Sequence, residues 1–146
     1  MVKLLLIKIF ISIFLLSSCS TIVHNFLHRE SSPTHEYERE YHQNGILQYE
    51  TMYKNGVIDG HVKSWDSKGN IVSIVEYVNG TLHGHWETYY ISGRMKHSIS
   101  YQYGKKNGVE VWYYDNGKKK SEVTYVDDNI QSDFVRWDKE GRKIIE

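Results

Sequence analysis

His61 and His85 stand 24 residues apart, His83 lies two residues before His85, and Asp59 occupies the position equivalent to His83 one period earlier. Histidine and carboxylate side chains at matched positions are the raw material of a metal site. Zinc needs its nitrogen ligands about 2.1 Å from one ion. If each period contributes two strands, matched positions lie ~9.6 Å apart, too far to share an ion. These histidines are therefore expected at the surface beside turns, with no metal and no cofactor. Nucleophilic catalysis has as little support. Cys19 is the only cysteine, and the Asp and Glu residues form no repeated pair. Active sites are also usually concave and partly apolar, so the chain is not expected to be an enzyme.

Two other groups of residues are suited to binding. Lys105, Lys106, Lys119 and Lys120, with Lys118 beside them, form the strongest basic cluster. They read chiefly as turn lysines that keep the sheet soluble and protect its edges by charge; contact with an acidic lipid headgroup is the weaker alternative. Alternation along a strand puts Lys118 and Lys120 on one face and Lys119 on the other. The second group is aromatic. Trp86, Tyr90, Trp112, Tyr114 and Phe134 fall, by the same alternation, on the face opposite Tyr89, Tyr113 and Trp137. Trp and Tyr are enriched at binding hot spots, so this set is the candidate partner surface. The competing reading makes these rings rungs that stack between repeats. The 18 basic and 18 acidic residues cancel, and nothing has the basic footprint of a nucleic-acid binder.

The elements that must carry these residues follow from one periodicity. Gly45, Gly69, Gly93, Gly117 and Gly141 recur every 24 residues, the mark of a repeat architecture. Tyr41, Trp65, Tyr89, Tyr113 and Trp137 each precede one of those glycines by four residues. Tyr53, Tyr77, Tyr101 and Tyr125 form a second aromatic column. Asn55-Gly56, Asn79-Gly80, Tyr103-Gly104 and Asp127-Asp128 mark a second turn in each unit, because Gly, Asn and Asp tolerate the positive φ of tight hairpins. A third column, Gly60, Gly84 and Gly108, ends in Ser132. Between turns lie runs of about seven to nine residues rich in Tyr, Val, Ile, Thr and Trp, the composition of strands.

The fold class is therefore all-β: an elongated single-layer antiparallel sheet of tandem 24-residue hairpins, with roughly nine or ten strands. Ile71, Ser73, Val75 and Tyr77 share one side of their run, and Met95, His97, Ile99 and Tyr101 share the corresponding side of the next. That tyrosine side is expected to be packed and the other wetter. Such a sheet draws its stability from aromatic columns and cross-strand pairs of ~0.2–1 kcal/mol each, summed over neighbouring units.

The strings Trp86-x-x-Tyr89-Tyr90-x-x-Gly93, Tyr101-x-x-Gly104-Lys105-x-x-Gly108 and Trp112-Tyr113-Tyr114-Asp115-Asn116-Gly117-Lys118 resemble bacterial MORN-variant repeats. The resemblance covers about residues 37–146 and implies the same chain of β-hairpins. Asp128 and Ser132 depart from its glycine pattern, as a capping repeat would. Some proteins of this kind are antitoxin-like, so the resemblance implies a protein partner, with a toxin as its most specific form.

The front of the chain has a different character. Met1-Val2-Lys3 is basic, and residues 4–16 are apolar except for Lys8. Leu16-Ser17-Ser18-Cys19 resembles the bacterial lipobox. Residues 1–18 read as a lipoprotein signal peptide, Cys19 as the lipid attachment site, and residues 19–36 as a flexible tether before a repeat domain at 37–146. Cleavage removes Lys3 and Lys8, leaving a net charge of about −2. The expected location is the bacterial cell envelope, anchored by lipid, at the outer membrane if the cell is Gram-negative. A structural spacer, or a contact for phospholipid or glycan, is the alternative role.

Overall fold

The computed structural model describes residues 34–145. Those residues form one antiparallel sheet of twelve strands and no helix. The strands are β1 (His35–Tyr41), β2 (Leu47–Lys54), β3 (Val57–Trp65), β4 (Ile71–Val78), β5 (Thr81–Tyr89), β6 (Met95–Gln102), β7 (Lys105–Lys106), β8 (Gly108–Tyr113), β9 (Lys119–Val126), β10 (Asn129–Ile130), β11 (Val135–Trp137) and β12 (Lys143–Ile144). The path is a plain meander, with β7 and β10 as short outliers on β6 and β9. The hairpin fold expected from the 24-residue period is thus the fold observed. The first strand begins at His35, two residues before the expected repeat boundary at 37. The residues expected to form a signal peptide (1–18), the expected lipid attachment site Cys19 and most of the expected tether (19–36) lie outside the described residues.

The two faces separate as their sequence alternation requires. Across the packed face, Glu38, Thr51, Val62, Val75, Trp86 and Ile99 follow one another in register from strand to strand. Across the wet face the matching row runs Arg39, Glu50, Lys63, Ile74, Glu87, Ser98, Val111 and Glu122. Among the described residues the only buried hydrophobics are Ile99 and Val123, and both lie on the packed face.

Two bulges recur in each unit. The first lies beside the aromatic column, where Trp65 pairs with Ile71, Tyr89 with Met95 and Tyr113 with Lys119 after a shift of register. The extra residue breaks the alternation. Ile71 and Met95 therefore come opposite Trp65 and Tyr89 instead of continuing the side of Ser73 and His97, which corrects the expectation from simple alternation. The second bulge lies at the third glycine column. His83, Gly84 and His85 together oppose Glu76, between the pairs Val75–Trp86 and Tyr77–Leu82. Gly84 has φ +104, and a Cβ there would come within 2.0 Å of a Glu76 carboxylate oxygen and 2.9 Å of its Cβ. The glycine is the opening through which the neighbouring side chain passes. Ser132 ends this column differently: its Oγ accepts from the Thr124 N–H at 2.9 Å, and the strand splits into β10 and β11.

Gly84→Ala is expected to destabilise the sheet by about 1–3 kcal/mol through strain and displacement of Glu76. Gly93→Ala, with φ +80 but open space around it, is expected to cost about 1–2 kcal/mol. Urea denaturation of both variants measures the difference; a Gly84 variant no worse than the Gly93 variant would remove Glu76 from the account.

Candidate interaction face

The aromatic residues singled out from sequence divide into two groups. Trp86 and Trp112 are on the packed face: Trp86 pairs with Val75 and Ile99, and Trp112 with His97 and Ser121. The Trp86 ring lies 6.2 Å from Tyr101, and the Trp112 ring 4.1 Å from His97. They share a face with Ile99, which is 1 % exposed, yet remain 38 % and 37 % exposed themselves. Phe134 is 60 % exposed and lines a shallow concavity of about 500 Å³ with Trp112, Tyr114, Arg136, Trp137 and Ile144.

Tyr90 and Tyr114 have a different task. The Tyr90 hydroxyl donates to the Tyr113 carbonyl at 2.7 Å, and the Tyr114 hydroxyl donates to the Trp137 carbonyl at 2.9 Å. Each ties one turn to the next repeat. At the equivalent position His42 makes the same kind of contact with the Trp65 carbonyl, 2.9 Å away. Asp66 instead accepts from the backbone of its own turn at Lys68 and Asn70. A residue type that reaches outward or caps inward thus decides whether neighbouring turns are stapled.

A polar cluster lies within the packed face that sequence reasoning did not assemble. Glu110 receives Lys106 Nζ at 3.2 Å and lies 2.9 Å from His97 Nε2. The Lys106 ammonium also lies 4.6 Å from the centre of the Tyr125 ring, a cation–π contact. Burial by itself would push the Glu110 carboxyl up, but His97 and Lys106 outweigh it and hold the group below the usual carboxylate range. Burial pulls Lys106 down, and the Glu110 contact more than reverses this. Elsewhere, burial and a 2.5 Å hydrogen bond to Glu87 push the Tyr89 phenol up to about 12. The His97–Glu110 contact joins residues 13 apart, a separation that falls on no repeat column.

The basic cluster does not assemble. Lys105 and Lys106 pair with Gln102 and Tyr101, whereas Lys119 pairs with Tyr113 at the far end of β9. Lys106 is bound to Glu110 on the packed face. Lys119 meets Glu122 at 2.5 Å, in the wet-face row. The bulge at Tyr113 has shifted it from the face that alternation assigned. Lys120 lies 5.9 Å from the Tyr114 ring. Of the four, Lys105 is the exposed one without such a partner.

His61 and His85 are placed on the wet side, where they pair with Glu76 and Ser100. Glu76 stands between His61 and His85, with an oxygen 3.3 Å from His61 Nε2 and the other accepting from the His85 N–H at 2.7 Å. Among the described residues, no three His, Cys, Asp or Glu side chains are placed to hold a metal ion.

Comparison with known families decides what kind of repeat this is. The MORN repeat variant model matches residues 37–55, 58–79 and 106–127. The chain carries MORN-type repeats. No curated protein matches it. The unmatched segment between the second and third matches has the same geometry, with β5 and β6 in the register of β3 and β4. The hairpin sheet therefore continues without interruption through Trp86, Tyr90 and Gly93.

The pH dependence of stability follows from Glu110. Because its folded-state pKa lies below the unfolded value of about 4.3, its contribution is complete above that pH and disappears as pH falls through the folded value. Glu110→Gln is expected to cost about 1–3 kcal/mol at pH 6, with the gap from wild type closing toward pH 3. A gap that stayed constant in denaturation curves from pH 6 to pH 3 would show that the carboxylate charge is irrelevant.

Proposed function

We propose that this chain is a lipid-anchored bacterial envelope protein whose MORN-type sheet binds a protein partner through its packed face. The observation that carries the reading is the exposure of Trp86, Trp112 and Phe134 beside the buried Ile99 and Val123. Large rings on one face of a sheet mark interaction surfaces when they form a contiguous patch, and Trp is prominent among hot-spot residues. The turn-stapling roles of Tyr90 and Tyr114 narrow the surface to Trp86, Trp112 and Phe134. A headgroup-binding role draws less support, because the lysines are divided between the two ends of β9 and mostly engaged within the chain.

Immunity against a toxin is the most specific form of this reading and rests on the family resemblance. Anchoring rests on the lipobox-like Leu16-Ser17-Ser18-Cys19. Acyl chains contribute ~0.8 kcal/mol per buried CH₂, and two or more give stable attachment.

Two experiments test the proposal. Tagged protein from native membranes is expected to capture one protein that Trp86→Ala/Trp112→Ala loses at least tenfold. Phe134→Ser, which removes an already exposed ring, is expected to weaken the same capture while leaving thermal unfolding unchanged. A partner retained by all these variants sinks the packed-face reading, and one that fails to arrest growth of cells lacking this chain sinks the antitoxin form. Separately, Cys19→Ala is expected to abolish palmitate labelling and release the protein from the membrane fraction; unchanged labelling would refute the anchor.

A further inference from the structure

The geometry points to a second copy of this chain as the occupant of the packed face before any other partner engages, stacked sheet on sheet about a two-fold axis running along β5. The inference rests on the reading that the packed face is the binding face. Among the described residues no second layer covers that face, and its rings remain partly exposed.

Area is the first argument. Ten strands at ~4.8 Å spacing and ~20 Å of strand length give a face of about 900 Å². Two such faces bury about 1,800 Å² in total, within the range of stable specific interfaces.

Register is the second. Packed-face residues on alternate strands repeat at the same height every 24 residues: Glu40, Ser64, Thr88, Trp112 and Arg136 form one such column. A two-fold axis along β5 reverses the order of strands and preserves height. It places Thr88 against its own counterpart and Ser64 against Trp112. Glu40 then faces Arg136, so the acidic end of one sheet covers a cationic position on the other. In the neighbouring column, Glu38, Val62, Trp86 and Glu110, Trp86 falls on the axis and meets itself, while Val62 faces Glu110, already neutralised by Lys106 within its own sheet, and Glu38 faces Phe134. The Glu40–Arg136 and Trp86–Trp86 pairs have the self-complementarity an isologous interface demands, and the aligned arrangement is the ordinary way two sheets pack. An anionic lipid surface offers Glu40 no countercharge.

Facing sheets lie ~10 Å apart, too far for a disulfide between facing Cα positions, so a bismaleimide of about 10 Å reach is the appropriate probe. The full chain is expressed with Thr88→Cys or Glu87→Cys, and the unsubstituted chain, with Cys19 alone, sets the baseline. Thr88→Cys is expected to give an adduct of twice the chain mass at least tenfold above Glu87→Cys, its wet-face neighbour. Adding Trp86→Glu should reduce that yield to the Glu87 level. Should that variant fail to fold, Glu40→Arg should lower the yield and Glu40→Arg/Arg136→Glu restore it. Equal yields at positions 87 and 88, no adduct at 88, or no rescue by the charge swap would overturn the two-fold. Failure to cross-link alongside loss of a captured protein in Trp86→Ala/Trp112→Ala would overturn the second copy alone and leave the binding face standing.

Discussion

A sheet with one layer must shield its packed face with its own side chains. The structure depends on that constraint. Among the described residues, Ile99 and Val123 are buried without an opposing helix or sheet, and larger side chains stand beside them on adjacent strands. Trp86 pairs directly with Ile99, and Glu110 directly with Val123. The Trp86 ring is itself only partly covered. Shielding the interior and presenting an apolar surface are therefore one arrangement, and the best-packed region of the sheet also carries the exposed rings of Trp86 and Trp112.

The same constraint explains the polar cluster. Glu110 occupies a column position held by Trp86 and Val62 in earlier units. A carboxylate there costs free energy unless it is paired, and His97 and Lys106 supply the pairing from two directions. Tyr125 then receives the Lys106 ammonium over its ring. An inward-facing charge thereby becomes compatible with a thin sheet, and Trp112 is held against His97 at the centre of the candidate face.

Stability between repeats also runs along the sheet's turn edges. At one edge, Tyr90 and Tyr114 donate to carbonyls of the following unit. At the other, the amide of Gly80 donates to the Ile58 carbonyl and that of Gly104 to the Leu82 carbonyl. Nearest-neighbour coupling of this kind is what lets a solenoid-like chain fold without a thick core. At the last unit Ser132 takes the place of the bulge glycine and its hydroxyl replaces a main-chain partner, which is how the regular pattern ends.

The repeat length, the turns, the strand composition and the two-faced character were legible from residues alone, because glycine and asparagine positions report backbone dihedrals directly and alternation reports sides. Tyr53, Tyr77, Tyr101 and Tyr125 were read as one column, and Tyr77, Tyr101 and Tyr125 lie on the packed face as expected. Alternation failed at Ile71, Met95 and Lys119, each displaced by one extra residue beside the aromatic column; a bulge has no signature beyond the turn it adjoins. Sequence also grouped Tyr90 and Tyr114 with Trp86 and Trp112, since spacing cannot tell a hydroxyl stapling a turn from a ring on a face. Only tertiary structure could join His97, Glu110 and Lys106, separate the lysines to opposite ends of β9, and set Glu76 between His61 and His85. Those outcomes depend on cross-strand register, and register is decided by where bulges fall, a property of paired strands that no single strand carries.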